Sequence, residues 1–136
     1  MTAGVPEASN QGVEPRVGKR VFPRSVRLLR HADFERVYKQ GRRHFSASVT
    51  VFYLERASGE GLRVGFTVGR AFGGAVQRNR MKRRLREAVR LTRPVPGPRA
   101  DVVINPKKNL LSTEFEAVVN EVRRAFVIIE GKLKAG

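Results

Sequence analysis

Cysteine and tryptophan are absent from this 136-residue chain, and methionine occurs only twice. The lack of cysteine excludes disulfides, thiolate nucleophiles and cysteine-ligated zinc. Histidine is almost as scarce: His31 and His44 stand at no metal-ligand spacing. Acidic residues number 12 against 28 Lys and Arg. They are scattered along the chain, whereas a metal-dependent nuclease brings several carboxylates together on Mg²⁺. No catalytic residue is assigned, and any protein-bound metal is left unknown. Long apolar runs are also missing, so no membrane-spanning helix is expected. The N-terminus has no apolar signal-peptide core, which makes the cytoplasm the expected location. Gly69-Arg70-Ala71-Phe72-Gly73-Gly74 is glycine-rich but lacks the Lys-Ser/Thr ending of a P-loop.

What is present is positive charge. The formal net charge is +16, and self-repulsion of that size opposes compaction unless an anionic partner offsets it. Nucleic acid is the expected partner, because Lys and Arg neutralise phosphates and release counterions; an anionic membrane surface is the plainer rival. An apolar fraction of 40% supports one modest core.

Residues 1–22 are rich in Gly, Pro, Glu, Ser and Asn without periodicity and read as a disordered tail, turning basic at Arg16, Lys19, Arg20 and Arg24. Residues 23–130 read as one domain and 131–136 as a short C-terminal tail. His31 to Gly41 predicts a short helix. His31 is expected to cap it, Asp33 and Glu35 to serve its N-terminal turn, and Phe34, Val37 and Tyr38 to share a face. Ser48–Glu55 and the alternating Leu62–Gly69 predict strands that should pair antiparallel. An extra short strand is expected near Arg43–Phe45. Leu62, Val64, Phe66 and Val68 fall on one side. Phe52 falls on the opposite strand face from Val49, Val51 and Tyr53.

A helix is predicted from about Ala75 to Leu91. Met81, Leu85, Ala88 and Val89 share a narrow arc, and the rest of the surface is cationic. Six basic side chains lie between Arg78 and Arg86. Like charges at i,i+4, such as Arg80 with Arg84, weaken an isolated helix; only Glu87 offsets them locally. After the Pro-rich loop 93–98, Ala100–Asn105 predicts a strand ended by Pro106. Thr113 and Glu116 suggest a capping box ahead of a helix striped by Phe115, Val118, Val119, Val122, Phe126 and Ile129. The order predicts an α+β sandwich with helices on one sheet face and the other face partly open. On these residues alone the function stays open between a ribosomal-type RNA-binding protein, a self-sufficient nuclease and a DNA-binding module. Phe34, Tyr38 and Phe52 stay open between core and ligand contact.

The segment Gly73-Gly74-Ala75-Val76-Gln77-Arg78-Asn79-Arg80-Met81-Lys82-Arg83-Arg84-Leu85-Arg86-Glu87 resembles the G-N-A-V-x-R-N-R-x-K-R-x-x-R-E segment of the protein subunit of bacterial ribonuclease P. Asp33-Phe34 through Val37-Tyr38 to Gly41 is similar to that family's opening helix, and Arg63-Val64-Gly65-Phe66-Thr67-Val68 to its R-V-G-F-S-V strand. The likeness runs from about Arg27 to Phe126. Five positions depart from the pattern: Gly74 replaces the usual Asn, Arg70-Ala71 a Lys-Lys pair, Gly69 a Ser and Ala47 an Arg.

The resemblance implies a single-domain two-layer α+β sandwich, similar to the second domain of ribosomal protein S5, with a left-handed βαβ crossover against the usual hand. It implies that Arg70, Arg78, Asn79, Arg80, Lys82, Arg83 and Arg86 bind a catalytic RNA subunit. It implies that Phe34, Tyr38 and Phe52 bind the single-stranded 5′ leader of precursor tRNA, since unpaired bases stack on rings. Hydrolysis would then belong to the RNA, using Mg²⁺ held mainly by the RNA and substrate. No membrane and no obligate protein partner is implied.

Overall fold

The computed structural model describes Arg27 and residues 30–135, with side chains described through Leu133; residues 1–22, read as a tail, lie outside the described residues. Helix α1 (His31–Gln40) leads into strands β1 (Arg42–Phe45), β2 (Val49–Glu55) and β3 (Leu62–Phe66). Helix α2 (Ala75–Thr92), strand β4 (Ala100–Pro106) and helix α3 (Phe115–Ala135) complete the chain. The result is a single α+β domain with one four-stranded sheet. Helix α3 runs to Ala135, into the residues read as a short C-terminal tail. No described helix is long and apolar enough to cross a membrane.

The sheet order is β1-β2-β4-β3. The expected direct pairing of β2 with β3 is corrected: β4 lies between them, antiparallel to β2 and parallel to β3. The reason is burial on both faces. Ala100, Asp101, Val102, Val103 and Ile104 are consecutively buried, which is the mark of a central strand rather than an edge. Helix α2 supplies the crossover between parallel β3 and β4.

Strand alternation divides the side chains between two clusters. Val49, Val51, Tyr53, Leu62, Val64, Val102 and Ile104 point to one face, where Met81, Leu85, Ala88 and Val89 of α2 and Val118, Val122, Phe126 and Ile129 of α3 cover them. On the opposite face Val37 of α1 meets Val103, with Phe34, Phe52 and Leu54 around them. Glu121 of α3 accepts hydrogen bonds from the backbone N–H and the hydroxyl of Ser48, both at 2.9 Å, fixing α3 to the start of β2.

Two capping expectations change. The residue before α1 is Arg30, with no side-chain cap, and His31 instead faces Glu35 at 3.5 Å. The Thr113 hydroxyl donates backward to the Asn109 carbonyl at 2.7 Å. Thr113 also precedes the helix by two residues, so it forms no capping box with Glu116.

Gly41 ends α1 where no side chain fits. A Cβ there would sit 2.5 Å from the Val37 carbonyl oxygen and 2.6 Å from that of Tyr53. Gly73 ends the short turn before α2 at φ 123°, a left-handed value that favours glycine.

Helix α1 is tied to the sheet by charge as well as by Val37. Asp101 of β4 is fully buried. It accepts a two-pronged contact from Arg63 of β3, Nε and Nη2 both at 2.8 Å, and a third from Arg56 at 3.0 Å. Arg36 of α1 approaches it at 3.8 Å. Asp33, expected to serve the helix terminus, is turned inward and pairs with Arg36 at 3.1 Å and Arg63 at 3.7 Å. The hydrogen bond to Asp101 holds the Arg63 guanidinium above its ordinary value, against the opposing effect of burial. Removing one member of a buried charge group strands the others. Asp101→Ala is therefore expected to lower unfolding free energy by about 3 kcal/mol, measured as a fall in the urea midpoint. An unmoved midpoint would show the clamp to be dispensable.

Candidate nucleic-acid interface

Two surfaces carry the residues singled out in the sequence, and they lie on opposite sides of the sheet. The first is α2. Its apolar arc is consumed by the core, and most of its remaining positions face outward. Asn79, Arg80, Arg83 and Arg86 are exposed, Lys82 is half-buried, and Arg70 is exposed in the turn before the helix. Arg78 is different: it is half-buried beside the apolar arc, and its Nε is buried without a hydrogen-bond partner.

The acidic offset on this helix is already spent. Glu87 takes a two-pronged contact from Arg90, which holds the Glu87 carboxyl below the usual carboxylate range. Burial, and then the nearby charge of Arg27, push the Arg86 guanidinium below its ordinary value. Arg84 faces inward and serves the fold. Its Nη1 donates to the Thr113 carbonyl at 2.8 Å and the Leu110 carbonyl at 3.3 Å, and its guanidinium lies 5.7 Å from the Phe115 ring centre.

The second surface is the sheet face under α1. Phe34, Tyr38 and Phe52 come together there, as the helical and strand spacings require. The rings of Tyr38 and Phe52 meet edge to face at 4.9 Å. The Tyr38 hydroxyl reaches Thr67 Oγ1 at 2.8 Å and Asn105 Oδ1 at 3.0 Å. Tyr38 is exposed, whereas Phe34 and Phe52 are half-buried against Val37 and Val103. The same rings thus serve both packing and an accessible face.

Thr67 and Asn105 were not singled out in the sequence. The signal was their strand alternation, which puts them opposite the apolar side. Among the described residues no three His, Asp or Glu converge as a metal ion would require. Asp33 and Asp101 are already held by guanidinium groups.

These features define a class: a small, strongly basic α+β domain in which a parallel β-α-β crossover helix carries the charge. The chain belongs to the ribonuclease P protein family, since residues 22–130 match the Ribonuclease P family model. It is 38% identical over 103 residues to the ribonuclease P protein component of Symbiobacterium thermophilum, covering 76% of this chain and 90% of that protein. It is 44% identical over 85 residues to that of Maridesulfovibrio salexigens, covering 62% and 68%. The fold matches the RNase P protein from Thermotoga maritima with a TM-score of 0.65 at 27% identity, covering 74% of this chain and 94% of that one. It matches the Staphylococcus aureus RNase P protein with a TM-score of 0.64 at 23% identity, covering 76% and 94%.

The two classes of arginine on α2 should separate experimentally. Arg84→Ala leaves two partly buried carbonyls without this donor and is expected to cost about 1–3 kcal/mol of stability. The double change Arg80→Ala with Arg83→Ala should stay within about 0.5 kcal/mol of the parent protein. Urea unfolding of both variants checks this; equal losses would contradict the assignment of Arg84 to the fold.

Proposed function

We propose that this protein is the subunit of a ribonuclease P ribonucleoprotein that helps remove the 5′ leader from precursor tRNA. Helix α2, with Asn79, Arg80, Lys82, Arg83 and Arg86 and with Arg70 of the preceding turn, grips the catalytic RNA, and Arg78 joins it from the inner edge of the helix. The α1 face, with Phe34, Tyr38 and Phe52, holds the unpaired leader. The observation that carries this reading is an exposed cationic helix whose only acid, Glu87, is already paired, in a chain that belongs to this family.

The chemistry follows from what each face can do. Exposed guanidiniums bind phosphates and release counterions. Half-open rings stack with unpaired bases. Precursor carries the leader and mature tRNA does not, so binding at the ring face raises affinity for substrate over product. The protein is not catalytic alone. Hydrolysis belongs to the RNA, and Mg²⁺ is held there and on the substrate. The cytoplasm is the proposed location, residues 23–130 the functional domain, and no obligate protein partner or membrane is invoked.

Reconstitution with a bacterial catalytic RNA at low Mg²⁺, scored by leader removal, tests the whole reading. Arg80→Ala with Arg83→Ala should weaken assembly and reduce the salt slope of RNA-subunit binding by about 0.7–0.9 per lost phosphate contact. Phe52→Ala should narrow the preference for leader-bearing over mature tRNA while leaving assembly intact. A protein that cleaves without the RNA, or one that binds mature tRNA as well as precursor, would overturn the proposal.

A further inference from the structure

The face that holds Tyr38 and Phe52 does not end at α1. Strand register extends it across the whole sheet. Phe45 of β1 stands opposite Thr50 of β2, and Thr50 opposite Asn105 of β4. Thr67 follows the Phe66–Ile104 pair of β3 and β4, and its N–H bonds the Ile104 carbonyl. Directly opposed residues share a face, so Phe45, Thr50, Asn105 and Thr67 form one row, about 14 Å long at the usual strand spacing. One end of the row is held by the Tyr38 hydroxyl. The other end is the Phe45 ring.

Phe45 has no role in the core. It is 62% exposed and belongs to neither apolar cluster. Core packing gives no reason for an aromatic residue on an edge strand, where a polar side chain would avoid exposing apolar surface to water. Two cations stand around it: Arg43 at 5.6 Å and Lys107 at 5.9 Å from the ring centre. Both stand over the ring at the outer limit of cation–π contact, yet most of the residue stays open to solvent. Arg43 is on the same face, opposite Phe52. An exposed ring with a guanidinium and an ammonium over it matches one nucleotide, the base stacking on the ring as these long cations turn from it to the phosphate. The polar row of Thr50, Asn105 and Thr67 between the two aromatic ends offers hydrogen bonds along the way.

We infer that Phe45, with Arg43 and Lys107, forms a second stacking subsite, which takes a further unpaired nucleotide of the leader beyond those met by Tyr38 and Phe52. This rests on the reading of the α1 face as the leader site. The occupant is a single-stranded nucleotide because the row is continuous with that face and because both flanking groups are cations. Neither group sits on α2, where the RNA subunit is proposed to bind.

The test uses the holoenzyme reconstituted from the full chain and a bacterial catalytic RNA. Binding is measured for mature tRNA, for long-leader precursor, and for precursors with one abasic nucleotide moved along the leader. Phe45→Ala is expected to weaken long-leader precursor by on the order of fivefold or more, with mature tRNA binding and assembly unchanged. Phe45→Trp should retain parental affinity. At one leader position, the abasic substitution should make Phe45→Ala and parent indistinguishable, and that position should differ from the one found with Phe52→Ala.

If Phe52→Ala loses leader preference and Phe45→Ala does not, the extension is wrong and the leader face stands. An equal loss on mature tRNA also removes the subsite, because the ring then touches something other than leader. If neither variant changes leader preference, the leader face itself is wrong and the subsite falls with it.

Discussion

A buried carboxylate holds this molecule in its working shape. Asp101 lies at the centre of the sheet with no solvent exposure, and three guanidiniums from three parts of the chain converge on it. Arg63 brings β3, Arg56 brings the β2–β3 connection, and Arg36 brings α1. Arg56 also donates to the carbonyls of Glu60, Gly61 and Ala100, so the connection that jumps over β4 is closed by the same side chain that neutralises Asp101. A buried ion is costly unless its lone pairs are filled; here both oxygens are occupied. The apolar contact of α1 is small, centred on Val37 and Val103. Charge therefore fixes a helix that hydrophobic burial alone would hold weakly, and that helix carries two of the three rings of the proposed leader face.

The same economy of acids explains α2. Of the few carboxylates in the chain, Asp33 and Asp101 are used inside, Glu121 is used on Ser48, and Glu87 is used on Arg90. The helix itself carries no second acid to offset its exposed cations. The fold tolerates the resulting repulsion because Met81, Leu85, Ala88 and Val89 are fully committed to the core. Tertiary packing, not helix propensity, keeps the segment helical. A cationic surface maintained at such a cost is useful when a polyanion lies against it.

Much of this was legible in the sequence. The apolar arc of α2, the stripe of α3 and the two-sided character of Phe52 follow from periodicity, which reports burial directly. The family segment from Gly73 to Glu87 identified the crossover helix. Strand order was not legible: periodicity says which face a residue takes but not which strand lies beside it, and β2 and β3 were expected as neighbours. The unbroken apolar run Val102-Val103-Ile104 was the available clue to a strand buried on both faces. Asp101 was equally hidden, because a single aspartate in a strand has no pattern and its partners are 38 to 65 residues away. Arg84 looked like any other cation of α2 until the Leu110 and Thr113 carbonyls were seen beneath it. Thr113 read as a cap because the spacing to Glu116 fits, yet its hydroxyl found a nearer acceptor in Asn109.

Strand β4 makes the two faces inseparable. Its Val102 and Ile104 anchor the layer of α2 and α3, while Asp101, Val103 and Asn105 anchor α1 and the aromatic row. A slip of one residue in its register would reverse every side chain. It would drive Asp101 into the apolar layer, where no guanidinium waits, and would turn Val102 toward Arg56 and Arg63. The carboxylate thus fixes the register as well as the helix. Because both surfaces are built outward from one strand whose register is fixed in this way, the distance between the cationic helix and the aromatic face is set by the rigid sheet rather than by a hinge. For the proposed holding of one nucleic acid on each side at a constant separation, that rigidity matters more than a large core.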